Sequence, residues 1–100
     1  PEPGRTHVYH QFTVRITGEA PISRDGFADA LREAGVGCGV YYPGVVFDYD
    51  CYRNHPGVVV AEVPNARAIA SEVTSLPVHP HLTEADLEKI VVVVREVLGG

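Results

Sequence analysis

The sequence predicts an α+β domain of two layers: a small, mostly antiparallel three-stranded sheet with helices packed on one face. Three observations lead there. Apolar residues recur with period two near the N-terminus and with helical spacing further on. The segments alternate as strand, helix, strand, loop, helix, strand, helix, with no internal repeat. The chain has 100 residues, which is the size of one domain with a modest core.

The elements follow in order. Residues 1–6, PEPGRT, read as a linker. HVYHQFTVRI alternates: Val8, His10, Phe12, Val14 and Ile16 face one way, and His7, Tyr9, Gln11, Thr13 and Arg15 the other. That is a half-buried strand. Arg24 to Ala34 is helical, with Ser23 as N-cap and Gly35 as the C-terminal stop. Its buried stripe is expected to be Phe27, Ala30, Leu31 and Ala34. A second strand is expected from Val36 to Tyr42, ended by Pro43. Gly35, Gly37 and Gly39 mark it as a place of close backbone approach.

Residues 44–63 are the least regular, although GVVVAEV resembles a strand in composition. Pro64 suits the first turn of a helix, with Ala66, Ile69, Ala70 and Val73 on one face. TSLPVH reads as a short third strand, placed at an edge by Pro77. In the last segment IVVVV favours a strand, but Leu87, Ile90, Val91, Val94, Val97 and Leu98 keep helical spacing. Thr83 and Asp86 stand where a capping box would. A helix is therefore predicted from Glu84 to Leu98, with Val92 and Val93 off the main stripe and exposed unless a packing partner covers them. Gly99 and Gly100 form a short tail.

Composition excludes several classes. Net charge is −5 with only eight lysines and arginines, which opposes binding to a phosphate backbone, so no nucleic-acid partner is expected. No apolar run reaches the length of a membrane span, so no membrane partner is expected either. No secretory signal opens the chain, so Cys38 and Cys51 are expected as free thiols in a cytoplasmic protein.

Most of the chemistry-bearing side chains crowd into VGCGVYYPGVVFDYDCYRNH, Val36 to His55. Cys51 and His55, joined by Cys38 and His10, offer zinc-type ligands, but the paired short spacings of a metal site are missing. His79 and His81 flank Pro80, which reads as a strand-to-helix connection rather than a ligand pair. Cys38 sits among small apolar residues as a packed thiol, not a nucleophile. GVGCG lacks the lysine and hydroxyl of a phosphate loop. Asp48 and Asp50 read as solvated turn formers. The tyrosines keep two readings side by side. Tyr41, Tyr42, Tyr49 and Tyr52 are either packing residues or flat, polar-tipped surfaces for a sugar or a base.

Three blocks, HVYHQFTVRI, RDGFADALREAGVGCGVYYP and PNARAIASEVTSLPVHPHLTEADLEKIVVVVREVL, resemble the C-terminal small domain of the DegT/DnrJ/StrS aminotransferases. The likeness spans residues 7–98, and SLPVHPHLTEADLEKI is its most specific part. GVGCGVYYP is similar to the family's Gly-Ile-x-Thr-x-x-His-Tyr-Pro turn. Cys38 replaces the threonine and Tyr41 the histidine, while Tyr42 and Pro43 match.

The resemblance implies a lid domain beside the site of pyridoxal 5′-phosphate, in an enzyme that acts on nucleotide-linked keto sugars. It assigns substrate binding to Tyr41, Tyr42 and Pro43. It also implies a homodimeric parent and an N-terminal large domain that this chain lacks. The chain has one lysine, Lys89, on the polar side of its last helix, and no phosphate loop. No catalytic residue, bound cofactor or metal is therefore expected here, and the chain alone is expected to be inactive. The start at Pro1 fits a fragment. A stand-alone binding or regulatory module with the same lid fold is the alternative. Loss of a large domain would leave an apolar surface open to self-association, expected near Val45, Val46 and Phe47.

Overall fold

The computed structural model describes residues 2–100; Pro1, the first residue of the predicted linker, lies outside them. Two strands form, β1 at Phe12–Arg15 and β2 at Val73–Leu76. Three α-helices accompany them: α1 at Arg24–Glu33, α2 at Pro64–Glu72 and α3 at Glu84–Val97. A single 3-10 turn, Val46–Asp48, interrupts the long loop between α1 and α2. The predicted α+β class holds, but the sheet has two strands rather than three.

β1 and β2 pair antiparallel, with Phe12 opposite Leu76 and Arg15 opposite Val73. The predicted strand at Val36–Tyr42 reduces to one bridge, in which Gly39 and Ser75 exchange backbone hydrogen bonds of 2.9 and 2.8 Å. Its glycines let the backbone approach β2 but offer no side chains to pack, so the ladder does not propagate. Thr74 Oγ1 adds a 3.2 Å bond to the Gly39 carbonyl. β1 is shorter than predicted because Tyr9 adopts a left-handed backbone with φ of 48°, which breaks the extended run before Phe12. Past Leu76, Pro77 has no N–H to continue the ladder.

α1 starts at Ser23, whose Oγ accepts from the Gly26 amide at 3.2 Å. It stops at Gly35, in the left-handed region with φ of +75°. The buried face is Arg24, Phe27, Ala28 and Leu31. Phe27 and Leu31 stand as predicted, whereas Ala30 is half-buried and Ala34 exposed. Arg24 joins the buried side. Its Nη1 donates to the carbonyls of Ala70 and Val73, both at 3.0 Å, and its Nε bonds Asp25 at 2.5 Å. The buried guanidinium thereby ties α1 to the end of α2 and the start of β2.

α2 buries only Ala70; Ile69 and Ala66 face outward. α3 keeps four residues of its predicted stripe, Ile90, Val94, Val97 and Leu98, and adds one. Val93, expected off that stripe and exposed unless covered, is buried, and Ile90, Val94, Val97 and Leu98 pack against the same core as Ile16, Phe27, Leu31 and Val36. Leu87, Val91 and Val92 stay about half exposed. Helices α1 and α3 meet each other over the core that also takes in Val14 and Leu76 of the sheet.

The capping box of α3 is present. Thr83 Oγ1 accepts from the Asp86 amide at 3.2 Å, and Asp86 Oδ2 accepts from the Thr83 amide at 2.9 Å. Hydrogen bonds from the Thr83 side chain and then its backbone hold the Asp86 carboxyl below the ordinary range. A depressed carboxyl contributes stability above its unfolded value of about 3.9 and loses it as pH falls through the lower folded value. Thr83→Ala is expected to cost about 1 kcal/mol at neutral pH, read from urea midpoints. The difference between the two proteins should shrink once acid protonates Asp86.

The radius of gyration is 16.5 Å, against about 13 Å for a compact domain of this length. The excess fits the segments that the core does not hold, residues 2–11 and 41–63, which are almost entirely irregular and largely exposed.

Candidate functional site

A groove of about 310 Å³ opens between the end of the sheet and the bridge at Gly39. Its walls include His10, Gln11, Cys38, Tyr41, Ser75 and His79. Two physical facts build it. The bridge holds Gly39 and Ser75 side by side, and the chain then bends so that the Tyr41 ring folds back over Gly39. A Cβ added at Gly39 would stand 2.7–2.9 Å from Tyr41 ring atoms, so a bare glycine is what lets the ring lie there. The Phe12–Leu76 pairing does the rest. The same antiparallel course carried outward brings the segment around His10 level with Val78 and His79.

Sequence reading placed Tyr41, Tyr42 and Pro43 together. The structure puts Tyr41 on the groove and leaves Tyr42 and Pro43 exposed beside it, outside the groove walls. His10, Gln11 and His79 were missed. In the sequence His10 and His79 stand out only as possible metal ligands, His10 on one face of a strand and His79 in a connection, and Gln11 does not stand out at all. The usable signal was the antiparallel pairing of the first and third predicted strands, whose outer ends must meet.

Cys38 is half-buried and free, with its Sγ 3.4 Å from the Ala28 carbonyl, as a packed thiol would be. Cys51 is free and exposed. Among the described residues no three His, Cys, Asp or Glu side chains gather as metal ligands would.

The loop after Tyr42 has an anchor that the sequence did not show. Asp48 accepts from both terminal nitrogens of Arg67 on α2, with the Nη2 contact at 3.0 Å. The same guanidinium lies 5.4 Å from the centre of the Phe47 ring, and Arg53 donates to the Asp48 carbonyl at 2.8 Å. Asp48 stands in the 3-10 turn, part-exposed as expected, but it is also paired. The Arg67 hydrogen bonds, followed by the charges of Arg67 and Arg53, hold its carboxyl below the ordinary range.

This pair is exposed, so its strength depends on salt and geometry. Arg67→Ala is expected to release the loop and speed amide hydrogen exchange at residues 48–55 without a change at α1. The native protein should follow as pH falls through the depressed Asp48 value, because a lowered carboxyl loses its contribution on protonation.

The pyridoxal phosphate implied by the resemblance finds no seat among these residues. The Lys89 ammonium rests 3.1 Å from where a Cβ on Gly35 would stand, at the C-terminal end of α1. That end of a helix carries partial negative charge and, with Asp86 beside it, would repel a phosphate. Lys89 is also absent from the walls of the Tyr41 groove. No step through the cofactor is derived for this chain.

Comparison with known proteins agrees with the fold. The chain is 31% identical over 97 residues to a UDP-N-acetyl-3-dehydro-α-D-glucosamine 3-aminotransferase of Acidithiobacillus ferrooxidans. It is 34% identical over 89 residues to a dTDP-4-amino-4,6-dideoxy-D-glucose transaminase of Shigella dysenteriae. It covers 24% of the length of each of these curated relatives. A crystal structure of a DegT/DnrJ/EryC1/StrS aminotransferase from Brucella abortus superposes with a TM-score of 0.65 at 26% identity, over 90% of this chain and 22% of that one. No helix among the described residues is long and apolar enough to cross a membrane. The profile of the DegT/DnrJ/EryC1/StrS aminotransferases matches residues 1–95, and the chain belongs to that family.

Proposed function

We propose that residues 7–98 are the C-terminal lid domain of a pyridoxal phosphate-dependent aminotransferase acting on nucleotide-linked keto sugars. Residues 1–6 are its linker and 99–100 its tail. The observation that carries this reading is the groove rimmed by Tyr41, with His10, Gln11, Ser75 and His79 along it. A phenol ring presents a face for a base or sugar ring and a hydroxyl that both donates and accepts. Gln11, Ser75 and the imidazoles add directional partners of the kind that sugar hydroxyls and a uracil or thymine edge require. Tyr42 and Pro43, exposed and next in the chain, are the further residues that this reading gives to the substrate. The family membership supports the reaction class, and the names of the two relatives support a sugar carried on a nucleoside diphosphate.

The groove supplies binding and orientation. The lysine and phosphate cradle of such chemistry lie in the larger part of the protein, and the working unit is a dimer in the cytoplasm. In the polypeptide that carries this chain together with that part, Tyr41→Ala removes one stacked ring, a contact of about 1–3 kcal/mol. The expected result is a KM for the nucleotide sugar raised roughly tenfold with kcat little changed, the mark of lost uniform binding. Tyr41→Phe should keep most of the affinity. An unchanged KM in both Tyr41→Ala and Tyr42→Ala would remove these residues from the pocket.

A further inference from the structure

α3 is apolar on two sides. One side, Ile90, Val93, Val94 and Val97, is consumed by the core. The other, Leu87, Val91 and Val92, is 48–52% exposed and has no partner among the described residues. An apolar row left on the outer side of a helix, beside its charged residues, marks a side that packing has not used. This second side runs into a groove of about 560 Å³, whose walls include Phe12, Leu76, Val78, Leu82, Leu87 and Val91. Phe12 is 46% exposed and Val78 38%, so the opening is continuous from the sheet to the helix. Single domains seldom leave so connected an apolar surface to water.

We infer that this groove, between β1, the end of β2 and the outer side of α3, is the seat on which the remainder of the family's polypeptide docks. The inference rests on the proposed function, because it takes that remainder to be present in the working protein. Three observations choose this occupant. The two relatives carry 76% of their length (100 − 24) beyond the part that this chain covers. Phe12, at one edge of the groove, is the first residue of β1 and follows directly on the exposed, irregular segment 2–11. The outer side of α3 also carries exposed Glu84 and Glu88 next to its apolar row, on a chain of net charge −5. A partner with lysine or arginine flanking an apolar patch would complement these carboxylates, while exposed Arg95 ends the same side of the helix. Val45–Phe47, where such a surface was expected, fits the role less well because Phe47 already lies against Arg67.

Carbene footprinting of the full polypeptide tests this, with Val59, 93% exposed, as internal reference. Labelling of Leu87, Val91 and Val92 should fall severalfold below that of Val59, and should stay low on dilution to the monomer. Labelling equal to Val59 overturns the inference. Protection that vanishes when a dimer dissociates also overturns it, since the occupant is then a second copy. Amino transfer is measured on the same sample. An active protein with a reactive groove removes the docking surface alone, and an inactive protein with a protected groove removes the proposed reaction alone.

Discussion

Replacing Phe27 with alanine is expected to cost about 3–5 kcal/mol, the range for deleting a buried aromatic ring from a core. Domains of this size are stable by only about 5–15 kcal/mol, so most of the margin goes. The reason is the smallness of the core. Phe27 is 1% exposed and packs with Ile16 after β1, Leu31 and Val36 of α1 and its exit, and Val93 of α3. Loss of the ring therefore loosens α1 from α3 and from the sheet together. Urea unfolding of the two proteins should show a large fall in midpoint, with the slope kept only if the variant still folds cooperatively. Phe12→Ala is the matched control, because Phe12 is 46% exposed and stands outside this cluster. Equal losses from the two substitutions would mean that the core has been misplaced.

The periodic parts of this molecule were legible in its sequence, and the contacts between distant segments were not. The caps at Ser23 and Thr83 lie within three residues of their partners, so short spacing was enough to find them. Helix spans agreed to a residue for the same reason. The extent of each buried face did not follow, because it is set by what lies opposite. Arg24 is only the first residue of α1 in the sequence pattern, yet two carbonyls 46 and 49 residues away draw it inside. The valine run of α3 had two apolar sides, and only the packing partner decided that Val93 and not Leu87 went in. The predicted middle strand failed on side-chain content: its glycines permit one bridge to Ser75 and then give the ladder nothing to hold. In the candidate site the tyrosines were visible as residue types. The convergence of His10 and His79 on Tyr41 depended on the pairing of β1 with β2, and the Asp48–Arg67 anchor on a contact spanning 19 residues.

We propose a division of labour, in which this chain shapes a pocket and the machinery that forms a Schiff base lies in the rest of the protein. A covalent aldimine needs a lysine amine positioned against the cofactor's aldehyde, with its phosphate and ring nitrogen held by the protein. Here the sole lysine, Lys89, stands at the negative end of α1 beside Asp86. Spectroscopic titration of the 100-residue chain with pyridoxal phosphate measures this directly. The account predicts no stable aldimine band and no amino transfer from any donor, while the polypeptide carrying the remaining family length shows both. A saturable aldimine band from this chain alone, lost in Lys89→Ala, would contradict it.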